Sequence, residues 1–429
     1  MSSTHLTPEH ELLRDTVRAF AALEVAPRVT AMESAASVER DLTGLLARQG
    51  WLGATISPEY GGMGAGHLAK TVIISEISRV SGAMGAALQA SMLGAAKIIH
   101  FGSARQKETW LPQVAAGSCL PTIAVTEQGA GSHILAIAST GRRYGRSGYV
   151  LDGRKVYVGN SHVAGVHGVV VRTGEGDRGL TAFLVEADRP GLTLTPHRPA
   201  FGLHGFSFGE ITLDNCRIPE ANRIGEEGDG HDIAQSSSIL YGRPNLAAVA
   251  LGLHREIVST TVRFAAERQR YGRPLSSLAT VRDKIGLMHA GLLTAELLAH
   301  DAVRLLDEGR GDDGMLMNSK LVNVSSAIDA ARTAMEIHGA ACLEQDHPLG
   351  RFMRDALCLY PPAGTGDIQV LRLAQAALGT GGPQWSRRLA HLTHLPAQRD
   401  TSGAVREDAR RRRPDTDAGF LAHRPSPSE

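Results

Sequence analysis

The sequence lacks the features that would place it in a special class of protein. Its 429 residues hold 45 lysines and arginines against 44 aspartates and glutamates, so the chain has no global attraction for nucleic acid or an anionic membrane. No apolar run reaches the ~18 residues of a membrane-spanning helix. The amino terminus has no charged segment followed by an apolar one, as a secretory signal would. We therefore expect a soluble cytoplasmic protein.

Cysteine is scarce and scattered. The four cysteines, Cys119, Cys216, Cys342 and Cys358, form no CxxC pair. This spacing argues against a disulfide framework and against a zinc site. We expect reduced thiols in the core and no bound metal.

The hydrophobic pattern changes twice along the chain. Residues 1–119 and 227–383 place apolar side chains at helical spacing, and the second range contains four such segments. Residues 120–226 hold short β-branched runs separated by turns. We predict an α+β protein with an N-terminal helical domain, a middle antiparallel β domain and a C-terminal four-helix bundle. Residues 384–429, which include an arginine run, are expected to form a disordered tail.

Motifs of one enzyme family recur in order along the chain. Residues 124–133, AVTEQGAGSH, resemble the pattern A-x-T-E-P-x-A-G-S-D of the acyl-CoA dehydrogenase family. Residues 152–160, DGRKVYVGN, resemble that family's G-x-K-x-W-I-T-N, with Tyr157 at the tryptophan and Gly159 at the threonine. Small residues in such loops let backbone amides approach a ligand closely.

Two later motifs extend the resemblance to roughly residues 5–380. Residues 267–274 are similar to Y-x-x-x-R-x-x-F-G-x-P, which places Arg268 at the arginine and Tyr271 at the aromatic residue. Residues 336–340 correspond to Q-x-x-G-G. Each motif alone is weak, but their shared order and spacing are specific for the family.

The resemblance implies bound FAD, lying between the β domain and the bundle. Arg268 and Tyr271 would reach the cofactor of a neighbouring subunit, which implies a homo-oligomer, either a dimer or a tetramer. Arg243 is assigned to the substrate. The residues assigned to the cofactor are Val125, Thr126, Gly131, Ser132, Tyr157, Gly159, Arg268, Tyr271, Glu336, Gly339, Ala340, Thr365 and Asp367.

The acid that family members use as a base is missing. In the family a glutamate precedes the Gly-Thr pair that matches residues 364–365, and this chain has Ala363 there. Other members carry the base directly before the arginine that matches Arg243, where this chain has Gly242. A general base contributes roughly 10²–10⁴ in rate. The catalytic residue therefore stays unassigned, and Tyr241, Glu336 and Asp367 are the candidate substitutes.

Three functions remain open at this stage. The first is α,β-dehydrogenation of an acyl thioester, carried by CoA or an acyl-carrier protein, with electrons passing to an electron-transfer flavoprotein. The second is a flavin-dependent monooxygenase supplied by a flavin reductase, in which Ala363 and Gly159 would open space beside the flavin. The third is a non-catalytic protein that retains the flavin as structure.

Overall fold

The computed structural model describes residues 6–145 and 147–390. The N-terminal region is helical, as predicted. Its helices are α1 (Pro8–Phe20), α2 (Val29–Ala35), α3 (Arg40–Ala47), α4 (Gly66–Val80), α5 (Gly82–Phe101) and α6 (Ala104–Ala115).

Helix α5 is the central element of this region. It is rich in alanine, glycine and methionine, and it packs against α4, α6 and strand β1. By length and composition it could cross a membrane, but 89% of its most apolar window is buried inside the protein. Helix α5 is therefore a core helix. Its small side chains allow neighbouring elements to approach on all sides.

A single twisted sheet forms the middle region. Its strands follow the order β6-β7-β3-β2-β4-β5-β8, and β1 pairs with β4. Most pairs are antiparallel, as predicted, whereas β1 and β2 each pair with β4 in parallel. The strands are β1 (Pro121–Ala124), β2 (Thr140–Tyr144), β3 (Gly148–Gly159), β4 (Val166–Arg172), β5 (Leu180–Glu186), β6 (Leu192–Leu194), β7 (Phe208–Pro219) and β8 (Arg223–Ile224).

The C-terminal region is a helical bundle built around α8, which packs on α4, α9 and α10. A π-helical turn, Ser238–Gly242, leads into α8, and a two-stranded hairpin, β9 (Gln269–Arg270) with β10 (Arg273–Pro274), follows it. The helices are α7 (Gly230–Ser237), α8 (Arg243–Glu267), α9 (Ala279–Asp307), α10 (Asp313–His338), α11 (Pro348–Cys358), α12 (Gly366–Ala377) and α13 (Trp385–Arg388). The predicted α+β class is confirmed.

The prediction of disorder from residue 384 is wrong for residues 384–390. Trp385 is only 7% exposed, and the backbone amides of Trp385 and Ser386 each donate to the Asp313 carboxylate at 2.9 Å. The short helix α13 is held against the bundle by burial of the indole and by the two hydrogen bonds to the Asp313 carboxylate. The remaining residues of the predicted tail, including the arginine run, lie outside the described residues.

Candidate active site

One face of helix α5 joins the two halves of the candidate active site. A β-carbon built on Gly159, at the end of β3, would lie 3.3 Å from the Ala90 Cβ. One built on Gly242 would lie 3.8 Å from the Leu93 Cδ1. Ala90 and Leu93 are three residues apart and therefore neighbours on the helix surface. The β-domain motif and the start of the bundle thus meet on one stretch of α5.

The two positions at which the family carries its base lie side by side. A β-carbon built on Gly242 would be 3.2 Å from the Ala363 Cβ, and its next neighbours are the Ser238 Oγ at 3.7 Å and Leu93. None of these three nearest atoms belongs to a carboxylate. Ala363 has a φ of +56°, which is uncommon for a residue with a β-carbon, and Gly364 follows at +88°.

Buried side chains hold the loop that carries Ala363, which we define as residues 359–365. Lys320 Nζ on α10 donates to the carbonyl oxygens of Tyr360 at 3.1 Å, Pro362 at 2.5 Å and Gly364 at 2.5 Å. Gln369 Nε2 on α12 donates to the carbonyls of residues 363 and 364 at 3.1 and 3.0 Å. The family motifs gave no signal for Lys320, because its partners are backbone atoms 40 to 44 residues away.

Arg243 supports the same loop from inside the bundle. Its Nε donates to the Ala363 carbonyl at 3.2 Å, and the residue is 4% exposed. Burial, reinforced by Arg372 and opposed by Asp313, lowers the pKa of Arg243 to about 10. In this structure the guanidinium is enclosed behind the loop and has a supporting position. The assignment of Arg243 to the substrate stays a prediction.

An ion pair fixes the first motif. Lys155 Nζ donates to the Glu127 carboxylate at 2.7 Å and to the Val125 carbonyl at 3.1 Å. The same carboxylate accepts the backbone amides of Ala138 at 2.8 Å and Ser139 at 3.0 Å. Burial opposes ionisation of Glu127, but these hydrogen bonds outweigh it and lower its pKa. Glu127 therefore shapes the loop that follows, in which Gly131 and Ser132 are exposed.

Gly159 does not leave open space, contrary to expectation. A β-carbon there would be 2.9 Å from the Phe206 Cζ. Phe206 is 8% exposed, and its ring fills the volume that a larger residue at position 159 would need. The neighbouring Tyr157 is 59% exposed and stacks on Phe208 with ring centroids 5.7 Å apart. Sequence reasoning gave neither phenylalanine a role, because both lie about 50 residues later in the chain than Gly159.

Five predicted cofactor residues lie at the opposite end of the bundle. Arg268 is 25 residues after Arg243 on the same helix and its cap, which corresponds to about 37 Å. Phe264, one turn before Arg268, stacks on His338 with centroids 3.9 Å apart, so α8 and α10 end together. The residues at this end are Arg268, Tyr271, Glu336, Gly339 and Ala340. Within one chain they cannot share a site with Ala363.

The candidate substitute bases are poorly placed. Tyr241 is 1% exposed, with Lys70 Nζ 4.4 Å from its ring centroid, and burial raises its pKa, which opposes deprotonation. Glu336 is ion-paired with Lys284 at 2.7 Å and Arg332 at 2.8 Å, and these contacts lower its pKa. It is also 16 residues, about 24 Å, along α10 from Lys320. Asp367 is exposed in the first turn of α12, while Thr365 precedes that helix.

Comparison with known proteins identifies the family. The N-terminal, middle and C-terminal domains of acyl-CoA dehydrogenase match residues 7–118, 122–216 and 228–378. An acyl-CoA dehydrogenase of Bacillus subtilis (strain 168) is 32% identical over 379 residues, covering 87% of this chain and 99% of the relative. The chain belongs to the acyl-CoA dehydrogenase family. It is therefore an oxidoreductase of the acyl-CoA dehydrogenase type.

Two solved structures of the acyl-CoA dehydrogenase fold are informative neighbours. The prolyl acyl carrier protein oxidase AnaB superposes with a TM-score of 0.83 at 25% identity, covering 87% of this chain and 99% of its own. The FAD complex of PigA gives the same TM-score and identity over 88% of this chain and 100% of its own. Among the described residues of the present chain, no cluster of His, Cys, Asp or Glu could hold a metal ion.

Proposed function

We propose that the protein is an FAD-dependent enzyme that removes hydrogen from the α and β carbons of an acyl thioester. One observation carries the proposal: the loop around Ala363 is held by Lys320, Arg243 and Gln369, although neither family base position carries a carboxylate. Three buried polar side chains directed at one loop fix its shape, as a site that acts on a bound substrate requires.

The residues near β3 fit the cofactor. Gly129 and Gly131 have no atom within 4 Å of a built β-carbon, which leaves their backbone open to a ligand. Ser132 is exposed beside them, and Tyr157 with Phe208 offers an exposed aromatic surface. Thr126, whose carbonyl accepts the Val156 amide at 2.9 Å, lies between these groups. FAD, when bound here, supplies the hydride acceptor.

The substrate is expected to have an unusually acidic α C–H bond. Neither Gly242 nor Ala363 offers a carboxylate, and Tyr241 and Glu336 are badly placed to replace one. A more acidic carbon can give up its proton to a weak base or to water. Both CoA and an acyl-carrier protein remain suitable carriers of the acyl group, and the similarity to AnaB supports the second.

A homo-oligomer completes the cofactor site in this proposal. Arg268 and Tyr271 lie too far from Ala363 to serve the same cofactor within one chain. Tyr271 is 88% exposed with a φ of +54°, and Leu287 on α9 is 75% exposed. Large exposed apolar side chains of this kind suit a subunit interface. We propose that the subunits exchange these residues, in a dimer or tetramer, and that electrons leave to an electron-transfer flavoprotein.

A flavin-dependent monooxygenase is the second candidate, favoured by the absence of a carboxylate at both base positions. Such an enzyme removes no α-proton and would receive electrons from a flavin reductase. The packing of Phe206 against Gly159 weakens this candidate, because the expected space beside the flavin is filled.

Product mass separates the two candidates. Purified protein is incubated in air with a panel of acyl-CoAs and acyl-carrier proteins, either with ferrocenium as electron acceptor or with a flavin reductase and NADH. A product lighter by two hydrogens, formed without the reductase, supports dehydrogenation. A product heavier by one oxygen atom, formed only with the reductase, would replace it with oxygenation, and protein that purifies with FAD but yields neither product would support a non-catalytic role.

A further inference from the structure

Lys320 is a buried cation whose hydrogen-bond acceptors are all backbone carbonyls. The residue is 2% exposed, and no salt bridge links its ammonium to a carboxylate of the described residues. Its three acceptors all belong to one short segment, residues 360–364. Burying a lysine in this way costs desolvation free energy. Its hydrogen bonds to the loop must offset that cost.

These hydrogen bonds fix the backbone conformation of the loop. Ala363 and Gly364 both have positive φ, which turns the carbonyls of residues 362, 363 and 364 towards the bundle interior. In a planar trans peptide the next N–H points away from the preceding carbonyl. The amides of residues 363 and 365 therefore point away from Lys320, and the amide of residue 364 points away from Arg243 and Gln369.

The neighbouring guanidinium of Arg243 adds to the electrostatic cost of burying Lys320. Burial, reinforced by Arg243, lowers the pKa of Lys320 to about 7. Arg243 Nη1 has no hydrogen-bond partner among the described residues. A lysine and an arginine are thus held together beneath one loop, and the inward carbonyl dipoles favour the protonated form of the lysine.

We propose that Lys320 is a positioning residue, which acts through residues 360–364 to hold the Ala363 loop in its left-handed turn and to aim three backbone amides at the ligand site. The inference rests on the proposed function for what occupies that site. It assigns to a residue outside every recognised motif the task of ordering the loop on which the reaction depends.

The first test measures the loop without any turnover. Amide hydrogen exchange is followed by mass spectrometry on the purified protein with its cofactor, for wild type, Lys320→Met and Lys97→Met. Lys97 is the matched control, because it is 0% exposed and donates to the Gly94 and Thr122 carbonyls, away from the loop. We expect exchange in peptides covering residues 359–368 to accelerate at least tenfold in Lys320→Met only.

The second test measures the chemistry. The thioester that bleaches the wild-type flavin fastest is used in anaerobic stopped flow. We expect Lys320→Met to lower the reduction rate constant at least tenfold, since misplacement by about 1 Å can cost 10²-fold. Propylammonium, added to Lys320→Ala, should fill the vacated space and restore part of the rate, whereas the equally long but uncharged propanol should not. Lys97→Met should stay within twofold of wild type.

The outcomes are distinguishable. Loop exchange and reduction rate that are equal in Lys320→Met and Lys97→Met would overturn the positioning role. If Lys320→Met does not fold, Lys320→Gln, which keeps an N–H donor, takes its place in both measurements. Wild-type protein that binds no FAD would sink the proposed function, while the exchange measurement would still decide whether Lys320 orders the loop.

Discussion

Gly242 and Ala363 occupy the two places where a family base could stand, and they are adjacent: a β-carbon on Gly242 would lie 3.2 Å from that of Ala363. The two positions come from different elements, the π-helical turn before α8 and the loop before α12. Either could deliver a carboxylate to the same point, and this chain has neither. The site therefore lacks the family carboxylate at both of the positions from which it could be supplied.

Restoring the acid should restore ordinary chemistry. Ala363→Glu places a carboxylate on a loop whose backbone is already held, and glutamate is no more strained than alanine at positive φ. We expect the rate of flavin reduction by simple acyl-CoAs to rise by roughly 10²–10⁴. Stopped-flow absorbance under anaerobic conditions measures it.

Ala363→Gln is the matched control, because it has the same shape without the charge and should give no gain. The double variant Gly242→Glu with Ala363→Glu should be no faster than the single one, since adjacent carboxylates disfavour each other's ionisation. An Ala363→Glu protein with normal flavin and unchanged rate would count against a dehydrogenase pocket.

Gly159 and Phe206 should behave as a coupled pair. Gly159→Thr forces its side chain against the Phe206 ring, 2.9 Å from the built β-carbon, and should lower the free energy of unfolding by about 1–3 kcal/mol. In Phe206→Ala protein the same substitution should cost at least about 1 kcal/mol less. Urea unfolding of the four proteins gives the coupling. Phe264→Ala, near the end of α8, should show none with Gly159→Thr, and purely additive costs for the Phe206 pair would refute the contact.

Arg268 should affect the cofactor and assembly together. If it reaches the FAD of a neighbouring subunit, Arg268→Ala removes a charge-assisted contact and should lower both flavin content and oligomer stability. Absorbance ratios and analytical ultracentrifugation measure the two effects. Arg310→Ala, at an arginine 71% exposed and paired with Glu308, should change neither. Full flavin stoichiometry in Arg268→Ala would contradict the shared site.

Lys97 should make stability depend on pH in alkaline solution. Burial lowers its pKa to about 7, against about 10.4 in the unfolded chain. Between these values the unfolded state binds more protons, so stability rises with pH, by up to about 1.4 kcal/mol per unit. The difference in unfolding free energy between wild type and Lys97→Met should therefore shift in favour of wild type from pH 7 to pH 10. A pH-independent difference would mean that Lys97 stays charged in the folded protein.

The local features of the fold could be predicted well from the sequence, whereas the long-range contacts could not. Motif order located Gly242 and Ala363, because each follows a recognisable pattern along the chain. Nothing local linked Gly159 to Phe206, or Lys320 to residues 360–364, since these contacts depend on how separate elements pack. Trp385 was assigned to the tail because the flanking composition outweighed a single aromatic residue.

The most direct test of the account is an anaerobic titration of the purified protein with acyl-CoAs and acyl-carrier proteins, followed at the long-wavelength flavin band. We predict that at least one thioester bleaches the band, with the strongest response from acyl groups whose α C–H bond is most acidic. A flavin that no thioester bleaches, in protein that consumes oxygen and forms product once a reductase supplies electrons, would contradict dehydrogenation and establish the monooxygenase instead.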